Sequence, residues 1–129
     1  MSGSYLLDTH IIIALFARDP IVEERLRLAD SVYVPAIAIG ELFYSSYKST
    51  RVEDNLGRIE AFAARTAVLN CDTEVARHYG RIKDGLRRKG KPIPENDVWI
   101  AALSVQHDLT LVTRDDHFAE VSGLAREMW

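Results

Sequence analysis

Pro92–Phe118 reads PIPENDVWIAALSVQHDLTLVTRDDHF, and its order of apolar and acidic residues decides the fold class. Pro94-Glu95-Asn96-Asp97 has the make-up of a helix start. Proline suits the first turn, where its missing N–H costs nothing, and acids suit the positive end of the helix dipole. Val98–Val105 follows as an apolar helix whose Ala101 and Ala102 let it lie close against a sheet. Leu109-Thr110-Leu111-Val112-Thr113 is then predicted as a short buried strand that stops at Arg114-Asp115-Asp116. A helix feeding such a strand is the anatomy of an open parallel α/β sheet, in which sites form beyond the carboxyl ends of the strands. The stretch therefore predicts one acidic pocket to which Asp97 and Asp115 both belong.

Outward from there, toward the N-terminus, Tyr5-Leu6-Leu7-Asp8 is predicted as a first strand ending on a carboxylate, with Thr9 as N-cap of a helix His10–Ala17. Asp19-Pro20 opens a second helix, Ile21–Ala29, in which Val22, Leu26 and Ala29 repeat at helical spacing. Ser31–Val34 is the second strand. Pro35 begins a helix to about Tyr47 that buries Ile37, Ile39, Leu42 and Phe43, with Glu41 among them. Val52–Arg65 forms a helical hairpin with it, and Val68-Leu69 is a short third strand. Asp72 or Thr73 caps a fifth helix with Val75, Tyr79, Ile82 and Leu86 on one face, ended by Gly90. Beyond the opening stretch, Phe118–Val121 is one turn of helix and Leu124–Met128 an edge strand. Strands alternate with helices throughout, so a single α/β domain spanning residues 1–129, with right-handed parallel crossovers, is expected.

A chain of 129 residues with 47% hydrophobic content has the apolar mass for one real core. Its net charge of −3 makes it no general polyanion binder, so any nucleic-acid role rests on a local basic patch. The single cysteine, Cys71, excludes an internal disulfide, fits a reducing compartment and is expected in or near the core. Nothing basic precedes the first apolar run, and Asp8 and His10 interrupt it. The run is thus neither a signal peptide nor a membrane span, and a cytoplasmic protein is expected.

Asp8 ends one strand and Asp115 follows another; if the two strands are neighbours, both carboxylates project from one sheet edge. Asp97 joins them only if the loop before its helix crosses to that edge. Glu41 sits among Ile37, Ala38, Ile39, Leu42 and Phe43, where an acid is costly unless paired or bound to metal. Clustered carboxylates repel one another and push some pKa values up, and a divalent cation relieves that repulsion. Hard oxygen ligands without a Cys/His set point to Mg²⁺ or Mn²⁺, and such a cluster supports metal-activated water attacking a phosphodiester.

Plainer roles compete. Asp8 would also cap the first helix, and Asp97 at a helix start would contribute about 0.3–1 kcal/mol through the dipole alone. His10, His78, His107 and His117 are scattered with no zinc-ligand spacing, and His117, next to the acids, either touches substrate or, the favoured reading, is a turn-surface residue. Lys83, Arg87, Arg88, Lys89 and Lys91 either complement a helix C-terminus or form a phosphate-tracking rim, with Arg77 and Arg81 continuing one edge. Phe43, Tyr44, Tyr47 and Phe62 are core of the hairpin or a groove for a partner.

Four segments together resemble the PIN-domain family and, within it, the VapC-type ribonuclease toxins of toxin–antitoxin pairs. Leu6-Leu7-Asp8-Thr9 resembles the opening strand, and Ile39-Gly40-Glu41-Leu42 the helical motif with the second acid. Asn96-Asp97-Val98-Trp99-Ile100-Ala101-Ala102 is similar to the third motif, and Leu109–Asp115 with Phe118 and Gly123-Leu124 to the closing one. The resemblance implies a three-layer α/β/α sandwich around a short parallel sheet and Mg²⁺- or Mn²⁺-dependent endonucleolytic cleavage of RNA. It also implies a small antitoxin partner and a homodimer. Asp8, Glu41, Asp97 and Asp115 become the catalytic acids, with Asp8, Asp97 and Asp115 on the metal. Either Asp115 or Asp116 can be the fourth acid, the Phe118 spacing favouring Asp115. Thr9, Thr113, Glu95 and Asp116 would support the carboxylates, and Arg87, Arg88, Lys89 and Lys91 would touch RNA.

Other functions fit less well. A catalytically silent PIN-like RNA-binding or scaffold module gains nothing from a repulsive cluster. An aspartate-nucleophile phosphatase wants a second acid where His10 stands, and a nucleotide-binding flavodoxin-like domain wants a glycine-rich loop that is absent after the first strand.

Overall fold

Leu6 and Leu7 are both fully buried, yet they belong to different cores. Successive strand residues point to opposite faces, so a strand with both faces buried must lie inside a sheet covered on each side. The computed structural model, which describes residues 3–129, has that arrangement. Its strands are β1 (Ser4–Leu7), β2 (Ser31–Pro35), β3 (Ala67–Leu69), β4 (Thr110–Val112) and β5 (Arg126–Glu127). They form one sheet in the order β3-β2-β1-β4-β5, with every pairing parallel.

The register sets the two cores. Leu6 lies opposite Leu111 and Leu7 opposite Val112. Leu6 and Leu111 face α5 (Thr73–Lys89) and α6 (Glu95–Gln106), meeting Val75, Ile82, Leu86, Ile100 and Leu103. Leu7, Val34 and Val112 face the other layer, made of α1 (Thr9–Phe16), α2 (Pro20–Leu28), α3 (Ala36–Tyr47) and α4 (Val52–Ala64). The expected three-layer α/β/α sandwich is what forms. From β1 the chain steps outward to β2 and β3 with its helices on one face. It then changes face through α5 and α6 and returns to the far side of β1 as β4. The strand order therefore reverses between β1 and β4, where parallel sheets open a crevice at their carboxyl ends.

Local chemistry explains most boundaries. Asp19 Oδ1 accepts from the Ile21 and Val22 amides with Pro20 in the first turn, and Asp72 Oδ1 accepts from the Val75 amide. α5 ends on Gly90 at φ 69°, a left-handed conformation that glycine adopts without strain. The α3–α4 hairpin is tied by Asn55 Nδ2 donating to Ser49 Oγ at 2.9 Å.

Several expectations are corrected. Asp8, not Thr9, caps α1, because its carboxylate accepts from the Thr9 amide. α6 begins at Glu95, within the expected helix entry, whereas β4 and β5 are shorter than the apolar runs suggested. A 3₁₀ turn covers Asp116–Glu120 and drives Phe118 into the core. Cys71 is exposed, lying in the link between β3 and α5 rather than in the core. Among the described residues, no helix is long and apolar enough to cross a membrane.

Candidate active site

The Asp8 amide donates to the Val112 carbonyl at 3.0 Å, which pins Asp8 at the seam where β1 and β4 end. Its side chain is almost fully buried. Oδ1 accepts from the Thr9 amide at 2.8 Å, and Oδ2 accepts from Thr113 Oγ1 at 2.7 Å. The same Thr113 oxygen accepts from the Asp115 amide at 3.1 Å, so one buried hydroxyl sets the positions of two acids. Thr9 Oγ1 donates to Glu41 Oε1 at 2.8 Å and draws α3 toward α1. The loop before α6 does cross over, and it delivers Asp97 in the first turn of that helix to the same edge.

Asp8, Glu41, Asp97 and Asp115 thus line one hollow of about 510 Å³, together with Thr9, His10 and His117. Asp116 is exposed and does not line it, so of the two adjacent acids Asp115 is the one in place. Glu95 is on the wall, but its carboxylate turns to Lys83 Nζ at 2.7 Å and to the Tyr79 hydroxyl. A larger hollow of about 600 Å³ opens between α5 and α6 beside Leu86, Ile93 and Val98. Its walls are mostly apolar and its one acid, Asp84, is held by Arg87 and Arg88 at 2.6 and 2.9 Å, so it lacks the free carboxylates of the acidic hollow.

None of the expected RNA-contacting residues lines the acidic hollow. Besides the Asp84 pairs, Lys89 Nζ donates to the Glu120 carbonyl at 2.6 Å, and Lys91 is exposed. Arg114, next to Asp115, is held by the Trp129 carbonyl at 2.8 Å and Asp19 Oδ2 at 3.1 Å. That pairing holds the Asp19 carboxyl below its ordinary range and steadies the loop after β4.

The electrostatics record an uncompensated cluster. Burial pushes the Asp8 carboxyl up; the Thr113 and Thr9 hydrogen bonds oppose this, and the nearby Asp115 adds to it. Asp97 is pushed up to about 6, first by burial, then by the charge of Asp8, with His117 opposing and Glu41 adding. Burial and neighbouring carboxylates thus outweigh the relief that His117 gives Asp97.

His117 lies in the hollow rather than on the turn surface, the less favoured of its two expected places. Its Nε2 lies 2.8 Å from Asp97 Oδ2, and it packs against Phe118 with the ring centroids 4.7 Å apart. Because Phe118 is buried, the 3₁₀ turn is anchored and the preceding side chain is swung back over Asp97. The adjacency of Asp115, His117 and a core phenylalanine was the available signal. On the opposite side, exposed His10 Nδ1 stands 3.9 Å from Asp115 Oδ2.

Two sets of potential ligand atoms lie within 4.8 Å of one another: Asp8, His10 and Asp115, and Asp97, Asp115 and His117. The residues fit a divalent cation on two counts: carboxylate repulsion that His117 offsets only in part, and a buried His117 Nε2 that meets no aligned hydrogen-bond partner although Asp97 Oδ2 is close. Thr113→Val should remove the donor to Asp8, destabilise the protein by about 1–3 kcal/mol and weaken cation binding by roughly 10–100-fold. Urea unfolding and calorimetric cation titration check both; unchanged cation affinity would strip Thr113 of this role.

The PIN domain family model matches residues 5–124. The chain is 37% identical over 128 residues to "Ribonuclease VapC2" of Haemophilus influenzae, covering 97% of each protein. It is 35% identical over 128 residues to "tRNA(fMet)-specific endonuclease VapC" of Shigella flexneri, again over 97% of each. Among solved structures, DNA-bound VapBC from Salmonella typhimurium superposes with a TM-score of 0.91 at 32% identity, covering 100% of this chain and 99% of that one.

Proposed function

The chain belongs to the PIN-domain family, and from that premise we propose that it is the endoribonuclease toxin of a toxin–antitoxin pair, cutting RNA with Mg²⁺ or Mn²⁺ held by Asp8, Asp97 and Asp115. The observation that carries this reading is the convergence of four acids, remote along the sequence, on one hollow at the β1–β4 seam. The cation, when bound, supplies a water acidified enough to attack phosphorus and a counter-charge for the leaving oxygen.

The chain's own residues do the rest. Thr113 and the Thr9 amide fix both oxygens of Asp8 before any ligand arrives. Asp97, pushed up to about 6, would have to be deprotonated to serve as a ligand, so cation binding would release protons at about pH 6 and below. Glu41 has one oxygen engaged by Thr9, and its other oxygen would serve as the proton acceptor for the attacking water. Arg87, Arg88, Lys89 and Lys91, outside the hollow, would track the phosphates of a longer RNA.

The relatives support the biological setting. Their names describe ribonucleases, one of them tRNA-specific, which makes tRNA the first substrate class to try. VapBC assemblies among the structural neighbours support an antitoxin partner. Exposed Ile13, Tyr44 and Tyr47, on α1 and α3, are the apolar surface such a partner would cover. A homodimer and a cytoplasmic setting complete the reading.

Purified protein incubated with tRNA should yield internal fragments with Mn²⁺ or Mg²⁺ and none with EDTA. Cleavage that survives EDTA, or no cleavage of any RNA under either cation, would sink the proposal.

A further inference from the structure

We infer that His117 is a direct ligand of the catalytic cation, which makes this site a mixed nitrogen–oxygen seat that favours Mn²⁺ over Mg²⁺. The inference rests on the metal-dependent reading above but goes beyond its all-carboxylate ligand set. Asp97, Asp115 and His117 offer atoms within 4.8 Å of one another, the span a single small cation bridges. His117 Nε2 is buried and lacks an aligned hydrogen bond, although Asp97 Oδ2 is 2.8 Å away. A buried ring nitrogen in that condition normally costs stability. A cation drawn between Asp97, Asp115 and the ring would satisfy it.

The ring's orientation is imposed by structure rather than chance. It is packed on Phe118, whose side chain is fully buried, and it stands in a 3₁₀ turn that begins next to Asp115. The other wall histidine, His10, is exposed and meets Asp115 only at 3.9 Å. The remaining two, His78 and His107, do not line the hollow. Imidazole is a poor ligand for hard Mg²⁺ and a better one along the transition series, so one nitrogen among carboxylates shifts preference toward Mn²⁺.

Electron spin-echo spectroscopy of the Mn²⁺-loaded protein tests this without reference to catalysis. Nitrogen modulation is expected in the wild type and in His10→Gln, and its loss is expected in His117→Gln. Calorimetry should show Mn²⁺ affinity falling on the order of tenfold in His117→Gln, with Mg²⁺ affinity changed by less than about threefold. Should His117→Gln fail to fold, His10→Gln decides alone, since only two histidines reach the hollow. Modulation kept in that variant supports His117, and modulation lost assigns the nitrogen to His10 and overturns the inference. Saturable Mn²⁺ binding with no nitrogen modulation overturns the inference and leaves the carboxylate site standing. Absence of saturable binding removes both.

Discussion

Asp97→Asn is expected to lower cation-dependent RNA cleavage by more than about a hundredfold while the protein stays folded. Loss of a group that merely supports a metal ligand typically removes 10–100-fold of affinity or activity, and Asp97 is proposed to touch the cation itself. The fold should survive because α6 is held by Val98, Ile100, Ala101 and Leu103, all within the core, rather than by its first-turn acid. Asparagine is nearly the same size, and the dipole interaction it forfeits amounts to about 0.3–1 kcal/mol. Asp116→Asn is the matched control. It changes an exposed acid close in sequence to Asp115 but off the wall of the hollow, and should leave cleavage within about twofold, as surface substitutions generally do. Initial rates of tRNA cleavage at saturating Mn²⁺ measure both. A fully active Asp97→Asn would show that the acids converge for some reason other than catalysis.

The architecture was legible because its main signal is short-range. Leu6-Leu7 and Leu111-Val112 are runs that only a doubly covered parallel strand can bury, and the helical spacing of Val75, Ile82 and Leu86 names its own inward face. The acids at strand ends, Asp8 and Asp115, followed from the same reading once their strands proved to be neighbours. Asp97 could not be placed that way, since its arrival depends on how the Lys91–Pro94 stretch crosses the sheet edge, a long-range matter. Thr9 was misread because a hydroxyl before a helix looks like a cap. Here Asp8 takes the cap, and the hydroxyl is free to hold Glu41 thirty-two positions away. His117 was hidden for a related reason. A histidine in a turn is exposed by default, and only the burial of Phe118 turns this one inward.

The metal-free protein should lose stability as pH rises from about 4 to about 7, and the Asp97→Asn variant should escape most of that loss. An aspartate in the unfolded chain has the ordinary value of 3.8, whereas Asp97 in the fold is pushed up to about 6. Between those values the native state binds more protons than the unfolded one, so stability falls with pH and the penalty is complete above about 6. A gap of that size corresponds to about 3 kcal/mol. Asp8, shifted in the same direction by burial, adds to it. Asp19 and Asp84 are held below their ordinary range by Arg114 and Arg87, so their influence lies at more acid pH and does not mask the trend. In EDTA at pH 7.5, Asp97→Asn should therefore exceed the wild type by about 3 kcal/mol. Near pH 4 the two should coincide. Adding Mn²⁺ should reverse the ranking at pH 7.5, because the cation binds the deprotonated cluster and only the wild type retains it. Urea unfolding at both pH values, with EDTA or Mn²⁺, supplies the comparison. Equal stability of the two proteins in EDTA at pH 7.5 would mean that ionised Asp97 suffers neither the burial nor the repulsion that its raised value records, and the electrostatic case for a cation at this seam would go with it.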